Sequence, residues 1–371
     1  MKLYYLDLSG NFLTGSLPLF FSNFTQISNL YVGDNHFSGT IPATIWNLTN
    51  LIHLYVNSNN LTGTIPPEIG KLPASISELP SLWALSLFSN KFSGCIPMDM
   101  GKNAPQLNFV DLSKNNFSGL IPGTLCNAAS LVSLDLSSNM LKGEIPRCLG
   151  DLSSSLNILD LHDNQLQSTL PSEFSKGCKL TTFNINNNHI EGSVPPALSN
   201  CEQLQILDFG KNGLSGTFPS WVVALRNLEV LVFRSNEFHG NLSVKKMEHP
   251  FPKLRIIDLS HNQFNGNLPI YLFDNFKLMV DSDPHVGVNV SHLPSEYYEA
   301  SVLLIVKGKE REVKQNLYIY TSIDLSSNKF EGEIPQLIGE LQSIRLLNLS
   351  HNNLTGHIPS LTNMSLLEGC L

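Results

Sequence analysis

The chain has 371 residues, with 31 acidic and 23 basic side chains and a net charge of −8 when histidine is neutral. Charged residues make up only 15% of it, against a usual value of about 25%, and 38 asparagines and 42 serines carry the polarity instead. This balance excludes the basic footprint of a nucleic-acid binder. The longest apolar run, Val302–Val306, is far below the roughly 20 residues of a membrane-spanning helix, so no membrane segment is expected in this chain.

The chain opens inside a periodic string. Leu3, Leu6, Leu8 and Asn11 spell Leu-x-x-Leu-x-Leu-x-x-Asn, which recurs as Leu131, Leu134, Leu136, Asn139 and again as Leu156, Leu159, Leu161, Asn164. With Ile, Val, Phe or Tyr allowed at the apolar sites, the closing asparagine falls at 11, 35, 59, 90, 115, 139, 164, 188, 212, 236, 262, 328 and 352. The period is 24 residues, broken by one gap of 31 and one of 66. Leu-x-Leu alternates with period two, the mark of a strand with one buried face. No single repeat can bury its leucines alone, so its neighbours must supply the other half of the core. The expected fold is α/β: a right-handed leucine-rich-repeat solenoid with a parallel concave β-sheet and one insertion. The recurring asparagine both donates and accepts, and is expected to satisfy backbone groups of adjacent turns.

Each asparagine is followed by a second signature ending in Gly-x-Ile-Pro, as at Gly63-Thr64-Ile65-Pro66 and Gly332-Glu333-Ile334-Pro335. Glycine permits a bend or close approach, proline stops further strand pairing, and short helical pieces such as Pro196-Ala197-Leu198 are expected next. The 31-residue gap holds a seven-residue excess at 71–77. The 66-residue gap leaves 42 residues beyond one period, too apolar around Val302–Val306 for a disordered linker, so an ordered insertion packed on the solenoid is expected. The expected organisation is about 11 repeats over 1–274, an insertion over 275–316, and about two repeats over 317–371 with no C-terminal cap.

The Gly-x-Ile-Pro repeats resemble the plant-type leucine-rich repeat of plant receptor ectodomains. Tyr297-Tyr298, Ser301-Val302 and Lys307-Gly308, with re-entry at Ile323–Asn328, resemble the island segment of plant receptor-like proteins, which are kinase-less cell-surface receptors. The resemblance implies an extracellular ligand-recognition module that binds a peptide or other ligand on its concave face. It implies signalling through an adaptor receptor kinase, with a co-receptor kinase docking near Tyr297, Tyr298, Lys307 and Gly308. It places the full-length parent at the plasma membrane, facing outward; this chain shows no signal peptide and reads as truncated at both ends. The rival readings are an ectodomain fragment of a leucine-rich-repeat receptor kinase, a relative of the polygalacturonase inhibitors, or a non-functional truncation.

Cysteine spacing supports an oxidising compartment. Cys178 and Cys201 occupy nearly equivalent places on neighbouring turns, as do Cys126 and Cys148, so Cys178–Cys201 and Cys126–Cys148 are the expected disulfides. Nine Asn-x-Ser/Thr sequons stand at Asn23, Asn47, Asn60, Asn116, Asn241, Asn289, Asn348, Asn353 and Asn363.

For ligand binding, the positions that depart from the Asp-Leu-Ser default are the best candidates, because the scaffold does not require them. One group is aromatic: Tyr31, His53, Tyr55, Trp83 and Phe88. The other is polar and basic: His162, Asn184, Asn186, Lys211, Arg234 and Arg255. The recurring Asp111, Asp135 and Asp160 read as scaffold. No phosphate loop, kinase string, Gly-x-Ser-x-Gly elbow or His-Glu-x-x-His occurs, so no enzyme, cofactor or metal site is expected.

Overall fold

The computed structural model describes residues 2–67, 82–242, 250–273, 276, 302–306, 309–313, 320–367 and 369–370. The seven-residue excess at 71–77, Asn289, Tyr297, Tyr298, Lys307 and Gly308 lie outside them, as do the side chains of Asn47 and Cys370. The chain forms two compact units, Met1–Leu180 with Asn187–Ile190, and Thr181–Asn186 with Glu191–Leu371.

In the first unit the strands Tyr5–Asp7, Asn29–Tyr31, His53–Tyr55, Ala84–Ser86, Phe109–Asp111, Ser133–Asp135 and Ile158–Asp160 pair in parallel, each with the next. Register follows the repeat, so that Leu30 faces Leu54 and Val110 faces Leu134. The middle residue of each strand points into the core: Leu30, Leu54, Leu85, Val110 and Leu134 are fully buried. Each such side chain contributes about 1.5–3 kcal/mol, but only where a neighbouring turn covers it.

What closes each strand is a ladder of asparagines. Asn115 Nδ2 donates to Leu87 O (2.9 Å), Leu112 O (3.2 Å) and Ser113 O (3.0 Å), while its Oδ1 accepts from Phe92 N (3.0 Å). Asn35, Asn59, Asn90, Asn139 and Asn164 repeat this pattern. The turn that aims each amide inward is a left-handed residue just before it: Asp34, Ser58, Ser89, Lys114, Ser138, Asp163 and Asn187 all have φ between 50° and 56°. For residues other than glycine this conformation is uncommon. It recurs because the bonds it permits outweigh its cost.

After the ladder asparagine the chain does not simply bend, as the Gly and Pro signature suggested. It adds a second parallel sheet, with Asn60–Gly63, Lys91–Cys95 and Asn116–Gly119 among its strands. The glycine ending this segment is required: Gly119 has φ +82°, and a Cβ there would lie 2.7 Å from Cys95 Sγ. Beyond it come single-turn helices such as Gly123–Asn127 and, in the second unit, Pro196–Asn200.

The second unit repeats the scheme with Thr182–Asn184, Ile206–Asp208, Val230–Val232, Ile256–Asp258, Ser322–Asp324, Leu346–Asn348 and Gly369–Cys370. Ile256 pairs directly with Ser322 across the long gap, so the intervening residues leave the ladder intact. Part of that insertion is an antiparallel hairpin, Val302–Val306 with Lys309–Val313. Val302 and Val313 pack with Tyr320 on Ile206, Val230, Val232 and Ile256, which are the outward residues of three consecutive strands. The described strand pair of the insertion is therefore packed on the solenoid, and its seat is the inner face.

Candidate functional site

Strand alternation sends the first and third residues of each three-residue strand to the inner face. In the first unit this row is aromatic. Tyr31 lies 5.0 Å from Tyr55 by ring centroid and 6.3 Å from His53; His53 meets Trp83 edge-on at 5.3 Å. The structure lengthens the strip at both ends. Tyr5 stands 5.4 Å from Tyr31, and Phe109 stacks on Tyr55 at 6.3 Å. Both were legible from the repeat, since Tyr5, His53 and Phe109 share one offset from their ladder asparagines. Tyr31, His53, Tyr55 and Trp83 are half-buried and Tyr5 is 57% exposed, leaving aromatic edges open to solvent. Phe88 sits beside the strip with the Lys114 ammonium over its ring at 5.3 Å.

Polar groups fix the strip. Asn29 Nδ2 donates to Tyr31 Oη (3.1 Å) and lies 2.5 Å from His53 Nδ1, while its Oδ1 accepts from Ser28 Oγ (2.7 Å). Burial lowers the His53 pKa and so favours the neutral imidazole, whose Nδ1 is placed to accept from that amide.

Next to the aromatics runs a row of carboxylates, Asp111, Asp135 and Asp160, in direct register. Their first role is structural. Asp111 Oδ1 accepts from Ser113 N (3.0 Å) and Oγ (2.6 Å), and Asp135 does the same with Ser137. Burial, only partly offset by the Ser113 bonds, pushes the Asp111 carboxyl up to about 6, and Asp160 adds to it. Burial with the charges of Asp160 and Asp111 also holds Asp135 well above its usual range. His162 Nδ1 is 2.7 Å from Asp160 Oδ1. Burial would lower this imidazole, but Asp160, Asp135 and Asp163 together raise it to about 10, so it is cationic at neutral pH. Among the described residues no group of His, Cys, Asp or Glu is arranged to hold a metal ion.

The second candidate group separates. Asn184, Asn186, Arg234 and Arg255 are buried, Arg234 at 1% exposure and Arg255 at 4%. Asn186 donates to Asp208 (2.8 Å), and Arg255 lies 3.9 Å from Glu229. Burial pushes the Asp258 carboxyl up to about 7, with Asp324 adding to it, while Ser260 and Arg234 pull it down. These side chains serve the interior of the second unit as placed, which leaves His162 and Lys211 as the half-buried members of the group.

Cys126 and Cys148 form a disulfide with Cα atoms 6.0 Å apart, and Cys178 and Cys201 are each disulfide-bonded. Cys95 is free and exposed. Asn23, Asn60, Asn116, Asn241, Asn353 and Asn363 are exposed, whereas Asn348 is half-buried with its amide donating to Asp324 (3.0 Å).

The leucine-rich repeat family model matches at 2–24, 50–72, 106–128, 130–152, 155–176, 179–201, 253–275, 321–341 and 343–364, together more than half of the chain. Receptor-like protein 34 of Arabidopsis thaliana is 46% identical over 147 residues, a match covering 39% of this chain and 15% of that protein. The crystal structure of PEPR1-AtPEP1 superposes with a TM-score of 0.72 at 28% identity, covering 98% of this chain and 47% of the other. The Arabidopsis receptor kinase HAESA, solved with the peptide hormone IDA and the co-receptor SERK1, gives 0.69 at 30% identity, covering 96% and 59%. The chain thus spans only a fraction of its curated relatives' length and about half of these receptor ectodomains. The chain belongs to the leucine-rich repeat family, and its repeats have the architecture of a plant receptor-like ectodomain.

Proposed function

We propose that the chain is an extracellular recognition module that binds a peptide along the inner face of its first unit. The observation that carries this reading is the strip from exposed Tyr5 through half-buried Tyr31, His53, Tyr55 and Trp83 to buried Phe109. Aromatic side chains anchor interfaces because they bring large area at small entropic cost, and the repeat does not need them there. Solved ectodomains of similar architecture hold peptide hormones, and one also holds a co-receptor. By that likeness the parent protein sits at the plasma membrane, signals through an adaptor receptor kinase and a co-receptor kinase, and has no catalytic role of its own. The insertion that interrupts the ladder, with Tyr297, Tyr298, Lys307 and Gly308, is the proposed region for partner docking.

The test is selection of binders from a random peptide display library against the immobilised chain, followed by Tyr55→Ala with Trp83→Ala. Binders should be enriched in aromatic residues, and the double variant should lose them while keeping its circular dichroism spectrum. Binders that are retained by the double variant would refute the aromatic strip as the site.

A further inference from the structure

We infer that Asn116 carries an N-linked oligosaccharide, and that this glycan covers the thiol of Cys95. The inference rests on the disulfide-bearing chain passing through the secretory pathway. Asn116–Gly119 is a strand of the second sheet, next to Lys91–Cys95. Within it Phe117 is fully buried while Asn116 is exposed and Ser118 half-exposed. A sequon joins residues two apart, and a strand sends residues two apart to one face. The amide and the hydroxyl therefore both stand on the outer face, with the middle residue of the sequon in the core.

The neighbouring strand alternates in step: Phe92 is buried at 1% exposure, and Cys95 is exposed on the outer face. Register places Asn116 opposite Ser93 and Ser118 opposite Cys95. Adjacent strands lie about 4.8 Å apart and residues two apart on a strand about 6.6 Å, so Asn116 and Cys95 are about 8 Å apart at Cα. A glycan rooted at Asn116 reaches over that distance with its first sugars. Among the described cysteine side chains Cys95 is free while Cys126, Cys148, Cys178 and Cys201 are all bonded, and an exposed free thiol is open to exchange in an oxidising compartment. The sequon at Asn348 makes the contrast: its amide is engaged by Asp324 and its oxygen by Ser350 N and Oγ.

The transfer balances without redox chemistry. Asn116 Nδ2 attacks the anomeric carbon of an oligosaccharide carried on a diphosphate-linked lipid. A C–N bond forms, the C–O bond to the diphosphate breaks, Nδ2 gives up one proton, and the lipid diphosphate leaves with the electron pair.

The full chain, secreted from plant cells behind an added secretion signal, would be mapped by peptide mass. The rate at which a bulky maleimide labels Cys95 in the folded protein would then be followed. The Asn116 peptide should carry an oligosaccharide, and Cys95 should react several-fold slower than in Asn116→Gln or Ser118→Ala. Ser118→Thr, which preserves the sequon, should keep both the glycan and the slow rate. Because Asn116 is exposed, Asn116→Gln is expected to fold; should it not, trimming the glycan on folded wild-type protein gives the same comparison. A bare Asn116 in the secreted protein, or a Cys95 rate indifferent to the glycan, overturns the inference.

Discussion

Replacing Asn115 by Ala isolates what the asparagine ladder contributes to stability. The side chain makes four hydrogen bonds, three as donor and one as acceptor, and Asn115 is 9% exposed. Its losses are unequal. Leu87 O keeps a donor in Asn90 Nδ2 (3.2 Å), Leu112 O keeps Asn139 Nδ2 (3.0 Å), and Ser113 O keeps Ser89 N (3.0 Å). Phe92 N–H has no such reserve, and Phe92 is 1% exposed. Orphaning that donor costs about 1–3 kcal/mol, and weakening three bonds that retain a second donor adds about 0.5–1.5 kcal/mol each. A total of about 2.5–7.5 kcal/mol is expected, a large share of a stability of about 5–15 kcal/mol. Asn127→Ala, at an exposed site half a repeat later, should shift stability by less than about 0.5 kcal/mol. Urea unfolding measures the contrast, and native-state hydrogen exchange locates it: the Phe92 amide should lose protection first. Equal unfolding midpoints for the two variants, or a Phe92 amide that stays protected in Asn115→Ala, would refute the ladder as the element that couples neighbouring turns.

Two further outcomes follow from the inner faces. Asp111 and Asp258 are held at about 6 and about 7, above their unfolded value of about 3.9, so the folded chain holds these protons more tightly. Their stability contribution is full below about pH 4 and is lost as pH rises from there through 7, by up to about 3 kcal/mol for the two-unit shift at Asp111. His162, raised to about 10, acts in the same direction, its share lost as pH rises through that value. The urea midpoint should therefore fall between about pH 5 and pH 8, and Asp111→Asn with Asp258→Asn should flatten the fall; a profile that rises instead, or is unmoved by the double variant, contradicts this. Asparagine already stands at the equivalent strand position as Asn184 and Asn348, so the replacement fits. In the second unit, Val302→Asp with Val313→Asp places two carboxylates where valines are 1% and 9% exposed. The hairpin should lift from Ile206, Val230, Val232 and Ile256, giving a dye that binds apolar surface a new site, while the strand signal in circular dichroism stays unchanged. Unaltered dye binding would mean that the hairpin does not cover that face.

The periodic part of the molecule was legible because its rules are local. Leu-x-Leu with a closing asparagine every 24 residues sets a buried face, a turn and a hydrogen-bond partner one repeat away, so period alone gave the parallel sheet, the asparagine ladder and the Cys126–Cys148 bridge. The same repeat arithmetic brought Tyr31, His53, Tyr55 and Trp83 into one row. The second sheet was hidden because its strands contain the glycine and precede the proline that, read singly, signal a bend. Only the tertiary structure decided the rest. The insertion has no period, so nothing in its order of residues states which surface it covers; its seat is set by four aliphatic side chains drawn from three separate turns. Whether Arg234 and Arg255 meet solvent depends on what packs over and beside them, a property of distant segments. The carboxylates look alike in the sequence, yet burial and register give Asp111 and Asp258 protons that the exposed Asp7, held below its usual range by its hydrogen bond from Ser9, does not keep. Periodicity fixes what each turn shares with the next, and long-range packing determines which of those shared positions remain open to bind.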